Sequence, residues 1–137
     1  MIVEIVLGIV SAIGLILSGK KLYPHKMELV WQQGLVTAAL IYVVFALVAH
    51  NIEWMQIEII GVLLYACFAW LAYKQSVIFL AIGWGLHVFW DLYLHPKGHP
   101  GFVPDWYPNA CLGFDLVIAA YFIWYYFEKR KTNTKKY

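Results

Sequence analysis

Residues 2–18 read IVEIVLGIVSAIGLILS, an unbroken apolar run with a single charged side chain, and runs of the same kind return at 29–50, 57–73, 77–94 and 108–128. No other feature limits the possible folds as much. A helix rises about 1.5 Å per residue, so runs of this length cover roughly 25–33 Å, the depth of a bilayer's hydrocarbon core. Within hydrocarbon each backbone N–H and C=O must be satisfied inside its own segment, which makes the runs helical. Composition agrees: 63% of the 137 residues are hydrophobic and 13% charged, where soluble domains carry about 45–50% and 25%. The expected fold is all-α, a single bundle of five transmembrane helices over residues 1–128, followed by a basic, disordered tail at 129–137.

The breaks between runs support this count. The first run lacks the basic leading region and small-residue cleavage site of a secretory signal, so it is read as helix 1. The segment HPKGHPGFVPDWYP after Leu94 contains four prolines and two glycines, which ends helix 4 and makes a turn-rich loop. Pro108 then suits the first turn of helix 5. With five spans, nine of the ten basic residues fall on one side of the membrane, and Lys97 alone falls on the other. Basic loops stay cytoplasmic, so the N-terminus is expected outside and the C-terminus inside, in a multi-pass protein of the cell membrane, a bacterial inner membrane being the expected one. The basic residues sit in short clusters between apolar runs, which excludes a nucleic-acid partner and leaves the lipid bilayer as the surrounding one. Cys67 and Cys111 lie within apolar runs without CxxC spacing, so they are read as packing residues.

The stretch Gly83–Asp115 holds three of the five histidines and all three aspartates. His87, Asp91 and His95 recur every fourth residue, so they project from one side of helix 4, and Gly83 at the head of this ladder allows a neighbour to approach. Counting inward from Leu94 and Pro108, His87 and Asp115 both lie about 10 Å below the outer boundary, so they can meet. Ionisable groups at that depth turn inward, find partners and mark function. His87, Asp91 and Asp115 are therefore the candidate catalytic residues. The same three, with His95, form a candidate site for a divalent transition metal such as Zn, Mn or Fe. Glu58, His50 and Glu4 form a second tier at the same end of the bundle. Glu4 and Glu58 each head a stripe of small residues that suits close helix packing. His95 and His99 read as interfacial histidines of the proline-rich loop that complete or cover the site, and His25 as solvated. Gln32, Gln33 and Thr37 are expected to form interhelical hydrogen bonds.

On HVFWDLYLHP and FVPDWYPNACLGFDLVIAAYF, the chain resembles a family of small bacterial integral membrane proteins of unknown function. A weaker likeness is to the five-helix sterol isomerase and sigma-2 receptor group. Its members place a His and an acid four apart on one membrane helix, as with His87 and Asp91, and a further acid on a later helix, as with Asp115. The expected function is to bind or transform a lipophilic small molecule at this polar site by metal or acid/base chemistry. The alternatives are an ion- or proton-coupled transport component, or a non-catalytic packing or assembly subunit. Helix 5 below Asp115 reads LVIAAYFIWYYF and offers no relay to the inner face.

Overall fold

The computed structural model of the chain describes residues 1–96 and 101–134. Among these the regular elements are α1 (Ile2–Leu22), α2 (Met27–Val48), α3 (Ile52–Lys74), α4 (Ile78–Leu94) and α5 (Tyr107–Thr134). The five expected helices are all present. Four are long and apolar enough to cross a membrane; α4, at 17 residues, is slightly shorter. The outer surface of the bundle is apolar, with Leu63, Trp70, Leu116 and Trp124 more than half exposed, an arrangement suited to lipid rather than water.

The helix ends depart from expectation where polar residues extend a helix instead of closing it. α1 continues past Ser18 through Lys20 and Lys21. These two lie near the negative end of the helix dipole, and Lys20 Nζ sits 4.8 Å from the ring centroid of Tyr121 and 5.1 Å from that of Trp124. α3 starts at Ile52, so NIEWMQ is not a link but a cap and first turn: Asn51 caps the helix by accepting from the Trp54 backbone N–H at 3.2 Å. α5 runs on to Thr134 through the tail expected to be disordered. At about 42 Å it is longer than the hydrocarbon core is thick. At this end Lys129 reaches Glu28 at 2.7 Å and Tyr125 donates to the same carboxylate at 3.2 Å, tying α5 to the start of α2.

α5 packs on α1 and α4, α4 also meets α3 and α2, and α2 packs on α3; α1 and α2, though consecutive, are not a packed pair. The α1–α5 crossing is close because it is made at glycines. A Cβ on Gly8 would run into the Ala110 carbonyl, and one on Gly113 into the Ile5 carbonyl. Gly83 behaves as its place in the ladder suggested, since a Cβ there would stand 2.6 Å from a Leu35 methyl and 3.2 Å from Phe68 Cβ. Towards the basic end the core is aromatic, with Trp31 set edge-on to Trp84 (5.9 Å) and Phe122 (6.4 Å). Thr37 does not bond between helices as expected but returns its hydroxyl to Gln33 O of its own helix at 2.8 Å. Gln32 is buried, and both glutamines border a pocket between α2 and α3.

Candidate functional site

His87 and Asp91 are one turn apart on the inward face of α4, and Asp115 faces them from α5. All three are buried. The Nδ1 of His87 stands 2.8 Å from Asp115 Oδ2 and 3.6 Å from Asp91 Oδ2. The shorter contact is a charge-assisted hydrogen bond between helices; the longer is an ion-pair distance within one helix. The predicted trio therefore does converge, with the ligating atoms of all three within 4.8 Å of one another.

Much of the cluster's bonding capacity is unspent. His87 Nε2, both oxygens of Asp91 and the hydroxyls of Tyr42 and Tyr65 are buried without a hydrogen-bond partner. The Tyr42 hydroxyl lies beside Asp91, close enough to interact but outside hydrogen-bond geometry. The Tyr65 ring packs against the imidazole with centroids 5.0 Å apart. Buried polar atoms without partners are rare in native proteins and each calls for an explanation. Among the described residues His87 is the only basic side chain within ion-pair distance of Asp91 or Asp115.

A second polar group lies nearer the loop end. His95 caps α4, and its Nε2 is 2.8 Å from Glu58 Oε1 on α3, at an angle unsuited to a hydrogen bond. The other oxygen of Glu58 accepts from Trp90 Nε1 at 3.1 Å. Gly61 makes room for that indole, since a Cβ there would fall 2.7 Å from the Trp90 ring. The stripe headed by Glu58 is thus packing, as expected, with a specific purpose. His95 is fully buried, stacked on Tyr42 at 4.2 Å between centroids and flanked by Trp54 at 5.5 Å. An interfacial histidine was expected there; instead aromatic residues in the first turn of α3 and on α2 enclose it. Its near contact is Glu58 rather than the trio.

Of the remaining second-tier residues neither joins the trio, although Glu4 borders the groove described below. His50 is exposed just past α2, with φ at 52°. Glu4 pairs with the N-terminal amine. His99 and Lys97 lie outside the described residues, as do Lys135 and Lys136.

A cavity of about 910 Å³ fills the space where α1 and α2 fail to pack. Its walls are mostly apolar, drawn chiefly from α1, α2 and α5 with Trp84 of α4, and Glu4, Asp115 and Cys111 are among its lining residues. Asp115, its side chain almost wholly covered, thus belongs to the buried cluster and borders this groove. Tyr42, Tyr65 and Cys111 are residues that reading the sequence missed. Cys111 lies beside the hydroxyls of Tyr42 and Tyr107, and its signal was present: it precedes Asp115 by four, the spacing of His87 and Asp91. The two tyrosines could have been found as polar tips placed mid-span in otherwise apolar helices.

The chain belongs to a family of unknown function (DUF6010), whose sequence profile matches residues 3–130. No curated protein and no solved structure matches it. The match spans all five helices and brings no activity with it.

Proposed function

We propose that this membrane protein binds a lipophilic small molecule in the groove between α1 and α2 and acts on its polar end at Asp115 and His87. The observation that carries this reading is the position of Asp115, which belongs to both the apolar groove and the buried polar cluster. A volume near 910 Å³ suits a small lipid or a polycyclic molecule. A cluster present only for packing would be expected to spend its donors and acceptors internally, and this one leaves Asp91 and His87 Nε2 available. The residues can act on the ligand's polar end as proton carriers, the imidazole exchanging a proton with the carboxylate at 2.8 Å, or as ligands to a cation. The site opens towards the outer leaflet if the basic residues mark the cytoplasmic side.

The test is to purify the full chain in a mild detergent and identify co-purifying lipophiles by native mass spectrometry. Replacing Ser11 or Gly34, which line the groove away from the cluster, by Trp should expel the ligand. Retention of the same ligand at wild-type occupancy in both folded variants would refute binding in the groove.

A further inference from the structure

We infer that His87, Asp91 and Asp115 hold one divalent transition-metal ion, of the class that includes Zn²⁺, Mn²⁺ and Fe²⁺. The inference goes beyond ligand binding in the groove and does not depend on it. It begins with charge. Two carboxylates share a single imidazole, and all three side chains are buried within an apolar bundle. With both carboxylates ionised the group keeps a net negative charge even when the imidazole is protonated, which is costly in such a medium and is relieved by a proton on one acid or by a cation among the three. A divalent ion bound with a neutral imidazole brings the sum to zero.

The Glu58–His95–Trp90 group of the same protein pairs its acid differently. One acid faces one histidine there, and its second oxygen is taken by an indole N–H. The trio has two acids to one histidine, and among the described residues the second acid, Asp91, has no hydrogen-bond partner for either oxygen although it is fully buried. The Asp91 carboxylate turns towards the other two, its Oδ2 lying 3.6 Å from His87 Nδ1.

Spacing agrees. With metal–ligand bonds of about 2.1 Å, two donors on one ion stand roughly 3.0 Å apart at a right angle and roughly 3.4 Å apart at the tetrahedral angle. The observed separations from His87 Nδ1, 2.8 and 3.6 Å, fall just outside these values, by about 0.2 Å each, which a small side-chain adjustment would close. One imidazole with two carboxylates is a donor set for Zn²⁺, Mn²⁺ or Fe²⁺ rather than for a soft ion. The donors sit on two packed helices, a rigid support. Three protein ligands leave coordination positions open, and Asp115 borders the groove through which an ion's further ligand would come.

The full chain, purified through a tag without histidines, is assayed for metal by mass spectrometry, then stripped with a chelator and titrated with Zn²⁺ or Mn²⁺. The wild type should carry about one ion per chain and regain it, with a rise in melting temperature. Asp91→Asn and His87→Gln should weaken retention by more than about tenfold, and Glu58→Gln should not. Bound Mn²⁺ should show coupling to an imidazole nitrogen in its electron-spin spectrum, a readout that needs no variant. Folded wild type that holds no ion and melts at the same temperature with and without Zn²⁺ or Mn²⁺ overturns the inference. So does undiminished binding in both folded trio variants, or bound Mn²⁺ without nitrogen coupling. Either result leaves ligand binding in the groove standing, because that is read from lipophile occupancy.

Discussion

Replacing Asp115 with Asn separates a carboxylate that acts from one that packs. Asn keeps the volume of the side chain and an oxygen that can accept from His87 Nδ1, now 2.8 Å away. It loses the charge. A hydrogen bond to a charged group contributes about 1.5–3 kcal/mol and a neutral one about 0.5–1.5, so the exchange costs roughly 1 kcal/mol. Against this, Asp91 lies within 4.8 Å of Asp115, and two like charges about 5 Å apart repel by ~3 kcal/mol at an effective dielectric constant near 20. The net change therefore falls between a loss of about 1 and a gain of about 2 kcal/mol. Asp115→Leu relieves the same repulsion but leaves His87 Nδ1 without its acceptor, a further cost of ~1–3 kcal/mol. Melting of the chelator-stripped protein should rank Asn with or above the stripped wild type and Leu below Asn. Ligand and metal retention should fall in both. If Asp115→Asn melts as low as Asp115→Leu while its folded fraction keeps wild-type ligand and metal, Asp115 is a packing residue and the reasoning fails.

Gly8→Leu and Gly113→Leu should each separate α1 from α5, because the added side chain meets backbone rather than a movable side chain; a cost of at least ~1–3 kcal/mol should appear as lower folded yield in detergent. Trp90→Phe keeps the ring in the space over Gly61 but removes the donor to Glu58, and should lower stability by about 1–3 kcal/mol with metal binding unchanged, as read by melting and metal content. Lys129→Ala breaks a half-exposed ion pair with Glu28, so its effect should stay below about 1 kcal/mol and shrink further in high salt. For orientation, a cysteine at Asp105 in a background lacking Cys67 and Cys111 should react with an impermeant thiol reagent on intact cells, and one at Lys131 should not; the reverse pattern would invert the assignment drawn from the basic residues.

Much of this architecture is legible without coordinates, because a bilayer allows few solutions. Each apolar run must satisfy its own backbone within the run, so length and hydropathy translate directly into five helices. The four-residue spacing of His87, Asp91 and His95 likewise determines that they share a face, whatever that face meets. Depth counted along α4 and α5 brings His87 and Asp115 to one level. The helix ends were less legible, because Lys20, Lys21, Asn51 and the residues after Glu128 act through capping, the helix dipole and local ion pairs, which hydropathy does not weigh. What tertiary structure alone decided is partnership. The acid nearest His87 is Asp115 on another helix, not Asp91 on its own, and His95 is drawn away to Glu58. The groove follows from helices that do not pack, α1 leaning on α5 through Gly8 and Gly113 instead of on α2. Periodicity fixes where a side chain points around its own axis, but which neighbour stands there depends on how five helices crowd together, and small residues far apart in the chain decide that jointly.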